Sequence, residues 1–510
     1  MSQIRSIILP TTYRDSVFLM NLSSQAKTES GAEQVSAMMG TPRNKDLLAE
    51  LGLPLAEMEK AGPEDLIIAV QGDATMRGAA EQAVKRLLAA VAPQKGGTGE
   101  YVPHDLDEAV KHDPALNLAL ISVAGDYARY EAAKALNAGM DVMLYSDNIS
   151  LEDEIALKTL ATRKNLLVMG PDCGTAIIDG VPLAFANHVS KGPIGIVGAS
   201  GTGLQEVICL LERLGVGISQ AYGTGGHDLK DEVGALTTVT ALHRLKQDEN
   251  TRVIVLLGKP SGAKTRAMLA SLLPTLGKPV LVHYLGTSDY TQEEAAGLRS
   301  ANDLTELALL AAEQVKPDLQ SGAIIRMPSM PSKVHTGLLR GLFSGGTLCQ
   351  EAAKISTSLL EGARFSNLPM AGFSPVAANE ASKGHCFWDF GDDTFTVGRP
   401  HPMMAPELKM ERLIQELVDP EVSVVLVDMV IGYGTHQDQA GEMVRAIKAA
   451  AARNAKAVSD TVIVASVCGT DTDNPGRQGQ VAQLEEAGII VCGSNAQAAV
   501  FAAKAARGGK

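Results

Sequence analysis

Aromatic side chains are scarce in this chain: they form 4% of 510 residues, with one Trp, against 45% hydrophobic residues and 50 Gly. A core with so few rings must be built from Ala, Val, Leu, Ile and Gly, which suits an α/β protein. Positive charge is also short. There are 45 Lys and Arg against 58 Asp and Glu, a formal net charge of −13, and this argues against nucleic acid or an anionic membrane surface as partner. Cysteine is sparse and scattered at Cys173, Cys209, Cys349, Cys386, Cys468 and Cys492. With no CxxC pair, neither a disulfide framework nor a zinc site is expected, no metal is assigned, and reduced thiols in the cytoplasm are the reading. The start, "MSQIRSIILPTTYRDS", lacks the long apolar core of a signal peptide. No apolar run approaches the roughly 20 residues of a membrane span. The length excludes a single core, so three or four domains are expected.

What is present is an alternation. "IRSIIL", "DLIIAV", "LNLALISV", "DVMLY", "NLLVMG", "IGIVGA", "RVIVLLG", "PVLVHYLG", "VSVVLVD" and "TVIVASV" are short apolar runs, most of them separated by helical patterns. Continuous apolar strands alternating with helices predict parallel sheets covered on both faces, Rossmann- or flavodoxin-like. Gly-rich "PQKGGTGEYVP" and Pro-rich "KPDLQSGAIIRMPSMPSKV" act as linkers, and "SKGPIG" marks a further division. The predicted domains are 1–94, small and α+β, then 104–190, 191–316 and 334–510.

Two stretches say nearly the same thing. "IGIVGASGTGLQEVICLLERLG" from Ile194 and "LLRGLFSGGTLCQEAAKISTSLL" from Leu338 each read as strand, small-residue loop and amphipathic helix, with Glu206 or Glu351 a few residues on. Small loops at the carboxyl ends of parallel strands let backbone N–H groups approach an anion, and the helix behind adds about half a positive charge. Ser200, Gly201, Thr202 and Gly203 in the first loop, with Ser344, Gly345, Gly346 and Thr347 in the second, are therefore candidate phosphate-binding residues. The plain alternative is that the glycines only permit close strand–helix packing.

From Leu116 to Leu285 the chain resembles the α subunit of succinyl-CoA synthetase. The segments that carry this are "GPDCGTAI", "IGIVGASGTGLQEV" and "GTGGHDL". From Gly337 onward it is similar to the carboxyl-terminal domain of that enzyme's β subunit. The resemblance implies that 104–190 is a CoA-binding-like Rossmann domain. It implies that 191–316 and 334–510 are two succinyl-CoA-ligase-like flavodoxin domains, with the two loop–helix units facing each other as halves of one site. "DSVFLM", "MMGTPRNK", "LALISVAG", "SDNISLEDE", "MGPDCGTAI", "GASGTG", "GTGGHDL", "FSGGTLCQEA", "FGDDTFTVGRPHPM" and "VDMVIGYGTHQD", spanning Asp15 to Asp438, resemble the FdrA family of acyl-CoA-synthetase-like proteins. That likeness implies a role in oxamate carbamoyltransferase, in which carbamoyl moves between oxalurate and phosphate during purine and allantoin degradation, with further subunits.

Three parts of the synthetase are missing. Its Gly-His-Ala-Gly phosphohistidine segment is replaced by the shorter "YLGTSDYTQEEAAGLRSANDL", which holds no histidine. Its Gly-Glu-Ile-Gly-Gly turn reads "GKPSG", placing Lys259 where the Glu would be. A Lys repels an imidazolium and attracts an anion, which agrees with loss of the histidine. No room precedes Leu116 for an ATP-grasp region, and no GxxxxGK[ST] loop occurs. Alone, the chain is not expected to make acyl-CoA with ATP.

Lys259 and His227 are the candidate catalytic residues. His227 in "GTGGHDL" suits an acid, a base or a phosphate donor, or is simply a loop histidine. Asp392, Asp393, Arg399 and His401 in "DFGDDTFTVGRPHP" are candidate substrate-binding residues, Arg399 through its planar fork, against a solvated turn. Helix capping explains Asp438 as easily as a functional role does, and Cys173 reads as structural. By resemblance, Ser122, Ala124, Ser146, Asp147, Asn148, Gly170 and Pro171 are candidate CoA contacts. The first strand and Gly-rich loop of a CoA domain are not recognisable in 1–110. Three readings stay open: an acyl or carbamoyl transferase subunit using inorganic phosphate or carbamoyl phosphate; a CoA-thioester ligase or transferase subunit served by a separate ATP-handling chain; and a non-catalytic scaffold. Additional subunits or a homodimer, and a small acyl or carbamoyl substrate, are the expected partners.

Overall fold

The computed structural model describes residues 3–12, 14, 16–53, 56–90, 103–123, 125–319, 322, 325–332, 334–396 and 399–509. They fall into two units, Met1–Val102 with Asp393–His401, and Pro103–Asp392 with Pro402–Lys510.

The first unit runs β1 (Gln3–Leu9), α1 (Ser16–Ser30), β2 (Gln34–Met39), α2 (Pro42–Glu50), β3 (Leu66–Gly72) and α3 (Ala74–Ala90). Its sheet has the order β1-β3-β2 with both pairings antiparallel. The central strand, "LIIAVQG", is apolar on both faces because both are covered. Leu66, Ile68 and Val70 pack with Leu19 and Leu22 of α1 and Ala80 and Val84 of α3, while Ile67 and Ala69 pack with Leu48, Leu53 and Met58.

The second unit begins with α4 (Leu106–His112), β4 (Leu118–Ile121), α5 (Gly125–Asn137), β5 (Asp141–Leu144), α6 (Leu151–Lys164) and β6 (Val168–Met169). These strands form a three-stranded parallel sheet, β4-β5-β6. Next come β7 (Thr175–Ile178), β8 (Val181–Ala184), β9 (Lys191–Gly198), α7 (Gly201–Arg213), β10 (Ile218–Gly223), α8 (Leu236–Gln247), β11 (Val253–Gly258), α9 (Ala263–Leu272), β12 (Val280–Tyr284), α10 (Thr291–Ala295), β13 (Arg299–Ser300) and α11 (Leu304–Glu313). They build a sheet of order β13-β12-β11-β9-β10-β7-β8.

The last section is β14 (Leu338–Phe343), α12 (Gly346–Thr357), β15 (Arg364–Ser366), β16 (Ser374–Pro375), β17 (His385–Asp389), α13 (Asp393–Thr396), α14 (Glu407–Val418), β18 (Val422–Val430), α15 (Gln439–Asp460), β19 (Val462–Cys468), α16 (Arg477–Glu486), β20 (Ile490–Cys492) and α17 (Asn495–Ala506). Its sheet has the order β16-β15-β17-β14-β18-β19-β20, and every pairing in it is parallel. The fold is α/β, with parallel Rossmann-like sheets and a small N-terminal domain, as the apolar runs imply.

Two boundaries differ from the expected ones. The hairpin β7–β8 lies within 104–190, yet it joins the larger sheet, β7 pairing antiparallel with β10 through Ala221 and Ile177. The small sheet ends at Gly170. This residue has φ +114°, and a Cβ there would lie 2.5 Å from the Leu144 carbonyl, so only glycine turns the chain at this point. Asp393–His401, expected in the last domain, groups with the first unit.

The two seven-stranded sheets share one core. Leu204, Val207 and Leu211 of α7 pack in the same cluster as Leu307 and Ala311 of α11, Leu348 and Ala352 of α12, and Ala499 and Ala502 of α17. Small and branched side chains let these helices approach closely, which explains the shortage of aromatics. Among the described residues no helix is long and apolar enough to cross a membrane.

Candidate functional site

The duplicated loops meet. Ser200 is the N-cap of α7, where its Oγ accepts the Gly203 N–H at 3.0 Å, and the same Oγ lies 2.5 Å from Thr347 Oγ1. Thr202 and Thr347 are each the second residue of their helix, and each packs on the start of the other. A Cβ added to Gly345 would lie 2.8 Å from the Thr202 side chain, and one on Gly203 would lie 3.0 Å from Thr347 Cγ2. The two helices thus touch end to end, and glycine is needed because a helix N-terminus fills the space. The sequence proposed one shared site; the contact brings all eight loop residues together.

A helix leaves its first N–H groups without intrahelical partners. Gly203 is satisfied by Ser200, and no partner to the N–H groups of Gly201, Thr202, Gly346 or Thr347 is found among the described residues. Gly201 and Gly346 are the half-buried members of the loops, and the rest are buried. Two positive helix ends with accessible first residues suit an anion.

The second loop is already partly occupied. Asp428, fully buried at the end of β18, accepts the Ser344 N–H at 2.7 Å and the Gly345 N–H at 3.0 Å. Lys409 of α14 donates to Asp428 Oδ1 at 2.6 Å and to Ser344 Oγ at 2.9 Å. The backbone donors of Ser344 and Gly345 therefore serve an internal carboxylate, so what this loop offers a ligand starts at Gly346. Beside it stands Asp389, at the end of β17. A Cβ on Gly346 would be 2.6 Å from Asp389 Oδ2. Burial pushes the Asp389 carboxyl up to about 7, with Asp428 and Asp392 adding to the rise and the Gly391 N–H and Lys259 opposing it. The sequence pointed to Asp392 and Asp393 and missed Asp389. The available signal was its place as the last residue of the strand in "CFWDFGDD".

Lys259 follows β11 and is half-buried. Its Nζ would lie 3.0 Å from a Cβ on Gly226, and its charge reaches Asp389. This sets Lys259 against the "GTGGHDL" loop, within electrostatic reach of the Asp389 that adjoins Gly346. His227, with a half-exposed side chain, has Nδ1 3.1 Å from Glu154 Oε2. Glu154 and Lys158 lie one turn apart on α6 and are fully buried. Lys158 Nζ donates to Glu154 Oε1 at 2.8 Å, to Asp228 Oδ1 at 2.8 Å and to the Thr224 carbonyl at 2.9 Å. Asp228 also caps α8 through Thr237 and Thr238. This network ties the small sheet's helix to the loop that holds His227.

The other candidates are placed as follows. Gly170 and Pro171 are buried against the same loop, since a Cβ on Gly225 would lie 2.7 Å from the Pro171 carbonyl. Ser146 Oγ donates to the Val123 carbonyl at 2.5 Å, a structural use that fixes the loop after β5. Ser122, Asp147 and Asn148 are exposed at strand ends. Ala124 lies outside the described residues. Asp392 belongs to the second unit, whereas Asp393, Arg399 and His401 group with the first, so the sequence's substrate cluster is split between units. Cys173 is buried with its thiol facing the Thr175 and Gly223 carbonyls. Burial pushes it up to about 12, which suits a structural role. Asp438 caps α15 through the Gly441 N–H.

Residues 342–505 match the family described as CoA-ligase, and residues 1–103 match the family described as AllF, heavy metal-associated domain. Over 210 residues the chain is 30% identical to the succinate–CoA ligase [ADP-forming] subunit alpha of Aquifex aeolicus (strain VF5), covering 39% of this chain and 67% of that one. Its structure is similar to that of the dinucleotide-forming acetyl-coenzyme A synthetase 1 of Ca. Korarchaeum cryptofilum, with TM-score 0.32 and 17% identity, covering 77% and 83% of the two chains. The family match and the succinate–CoA ligase relative agree with a succinyl-CoA-ligase-like α/β fold. The chain belongs to the family of the uncharacterized protein YahF of Escherichia coli (strain K12), with 40% identity over 512 residues and 98% of each chain covered. The heavy metal that one family description implies does not fit the donors present. Residues 1–103 contain neither Cys nor His, and no group of three metal-ligating side chains occurs among the described residues.

Proposed function

We propose that this chain is the acyl-transfer subunit of a CoA-ligase-type complex, moving an acyl group between phosphate and the thiol of CoA. The observation that carries this is the end-to-end contact of α7 and α12. It gathers the N–H groups of Gly201, Thr202, Gly346 and Thr347 at one place, with Lys259 within electrostatic reach of the Asp389 that adjoins Gly346. Fixed donors of this kind orient a phosphate and receive the charge that develops when an acyl–phosphate bond forms or breaks. Asp389 is the adjacent acid. The residues that would receive CoA are Gly170, Pro171, Asp147, Asn148 and Ser122, at the carboxyl ends of β4, β5 and β6. The match of 342–505 to the CoA-ligase family supports this reading. ATP is handled by a separate chain.

A second reading, carbamoyl transfer between oxalurate and phosphate, is favoured by the FdrA-like segments. It uses the same phosphate donors and needs no CoA. One experiment separates the two. The purified chain is given an acyl phosphate with CoA, or carbamoyl phosphate with oxamate, and the products are followed by mass spectrometry. Thioester in the first mixture supports the first reading, and oxalurate in the second mixture supports the other.

A further inference from the structure

The buried network around Lys158 contains one feature that packing does not require. Lys158 already joins α6 to the "GTGGHDL" loop through Glu154, Asp228 and Thr224, and these contacts satisfy all three of its N–H groups. Glu154 is nevertheless turned so that its second oxygen, Oε2, meets His227 Nδ1 at 3.1 Å. The side chain of His227 is 50% exposed, so this contact buries little. A carboxylate oxygen suits an Nδ1–H donor, and this pairing leaves Nε2 as the ring nitrogen a substrate can meet. A buried carboxylate that fixes the tautomer and ring of an exposed histidine is an arrangement for proton transfer.

The position of His227 indicates whose proton is taken. Two residues before it, Gly225 packs on Gly170 and Pro171 at the end of the small parallel sheet. One residue before it, Gly226 packs on Lys259, the cation within electrostatic reach of Asp389. The loop that carries His227 therefore touches both the residues assigned to CoA and the cation assigned to the phosphate site. Phosphate is an anion at neutral pH and needs no base to attack. A thiol with a pKa of about 8.5 is only a few per cent ionised at pH 7 and does need one.

We infer that His227 is the base that deprotonates a thiol nucleophile delivered from the carboxyl end of the β4–β6 sheet, with Glu154 as its positioning residue. This rests on the acyl-transfer reading above. In the step, the S–H proton passes to His227 Nε2, and the imidazolium is held by Glu154. The thiolate sulfur bonds to the acyl carbon of an acyl phosphate, the acyl carbon–oxygen bond breaks, and phosphate leaves with its electron pair. The products are a thioester and inorganic phosphate. The same residue returns the proton in the reverse direction.

The test needs no knowledge of the acyl group. CoA is mixed with excess full-length chain at pH 7 and its thiol is alkylated with iodoacetamide; binding is measured separately with desulfo-CoA, which has no thiol. The expected result is alkylation faster than for free CoA by about tenfold. His227→Ala should abolish this gain, added imidazole should restore part of it, and the affinity for desulfo-CoA should be unchanged. With acetyl phosphate as acyl donor, Glu154→Gln should lower kcat for thioester formation with KM for CoA unchanged, which a merely structural role would not do. Equal alkylation rates for the wild type and His227→Ala, both binding desulfo-CoA, overturn the inference and leave CoA as ligand. No binding of CoA or desulfo-CoA by the wild type overturns both the inference and the CoA reading, and phosphate titration then reports on the helix ends alone.

Discussion

Glu206 Oε1 accepts the backbone N–H of Asn495 at 2.9 Å, so a carboxylate on α7 caps the first residue of α17. The reverse contact exists as well. Glu351 Oε1 on α12 accepts the N–H of Leu304, the first residue of α11, at 2.7 Å, and Glu351 Oε2 accepts from Asn495 Nδ2 at 2.7 Å. Each duplicated unit thus caps the last helix of the opposite half. The two glutamates that follow the loops in sequence are not part of the anion site; they lock the two halves together by accepting N–H groups at the starts of the opposite helices.

These locks make stability depend on pH. Burial, with Asp303 adding to it, pushes Glu351 up to about 8, and burial pushes Asp389 up to about 7. Both carboxyls are held above their unfolded values of 4.5 and 3.8, so the native state binds more protons across that interval. The stability they contribute is full below the unfolded values and is lost as pH rises through about 7 and about 8. The urea midpoint should therefore fall between pH 5 and pH 9 (roughly the window these two groups define), and Asp389→Asn should flatten the lower part of that fall. A midpoint that rises over this range contradicts the assignment.

Asp428→Ala should be among the more damaging single changes. It strands the N–H groups of Ser344 and Gly345 and leaves Lys409, only 3% exposed, without its carboxylate. Breaking a buried pair from one side costs about 3–5 kcal/mol. Equilibrium unfolding should show that loss, and Asp428→Asn, which keeps acceptor oxygen, should lose less.

Lys259→Glu should weaken phosphate binding by about tenfold or more, because a repulsion replaces a charge-assisted contact worth about 1.5–3 kcal/mol. Calorimetric titration of inorganic phosphate measures it. Ser200→Ala should weaken binding too, and it should also cost about 0.5–2 kcal/mol of stability, since Ser200 caps α7. Equal phosphate affinity in the wild type and Lys259→Glu removes Lys259 from the site.

With radiolabelled ATP alone, the purified chain should show neither hydrolysis nor a stable phosphoprotein. The segment between β12 and α11 carries no histidine, and no GxxxxGK[ST] loop occurs in the sequence. Label retained on a histidine after denaturation would contradict this.

The sequence by itself determined the α/β class, the strands and the pairing of two loop–helix units. Apolar runs such as "IGIVGA" and "VSVVLVD", short and rich in β-branched residues, read as strands buried on both faces, and a small-residue loop before an amphipathic helix reads as the start of that helix. These signals are local. Only the tertiary structure decided that Thr202 rests on Gly345 and that Asp428 fills the donors of Ser344. The same holds for Glu206 and Glu351, which serve as locks between the halves, and for Glu154, which holds His227. The partners in these pairs are separated by tens to hundreds of positions in the chain: Asp428 lies 84 residues from Ser344, Glu206 lies 289 from Asn495, and Glu154 lies 73 from His227. A buried carboxylate takes its role from whichever donor the packing brings to it, and no spacing rule along one strand or helix reaches that far.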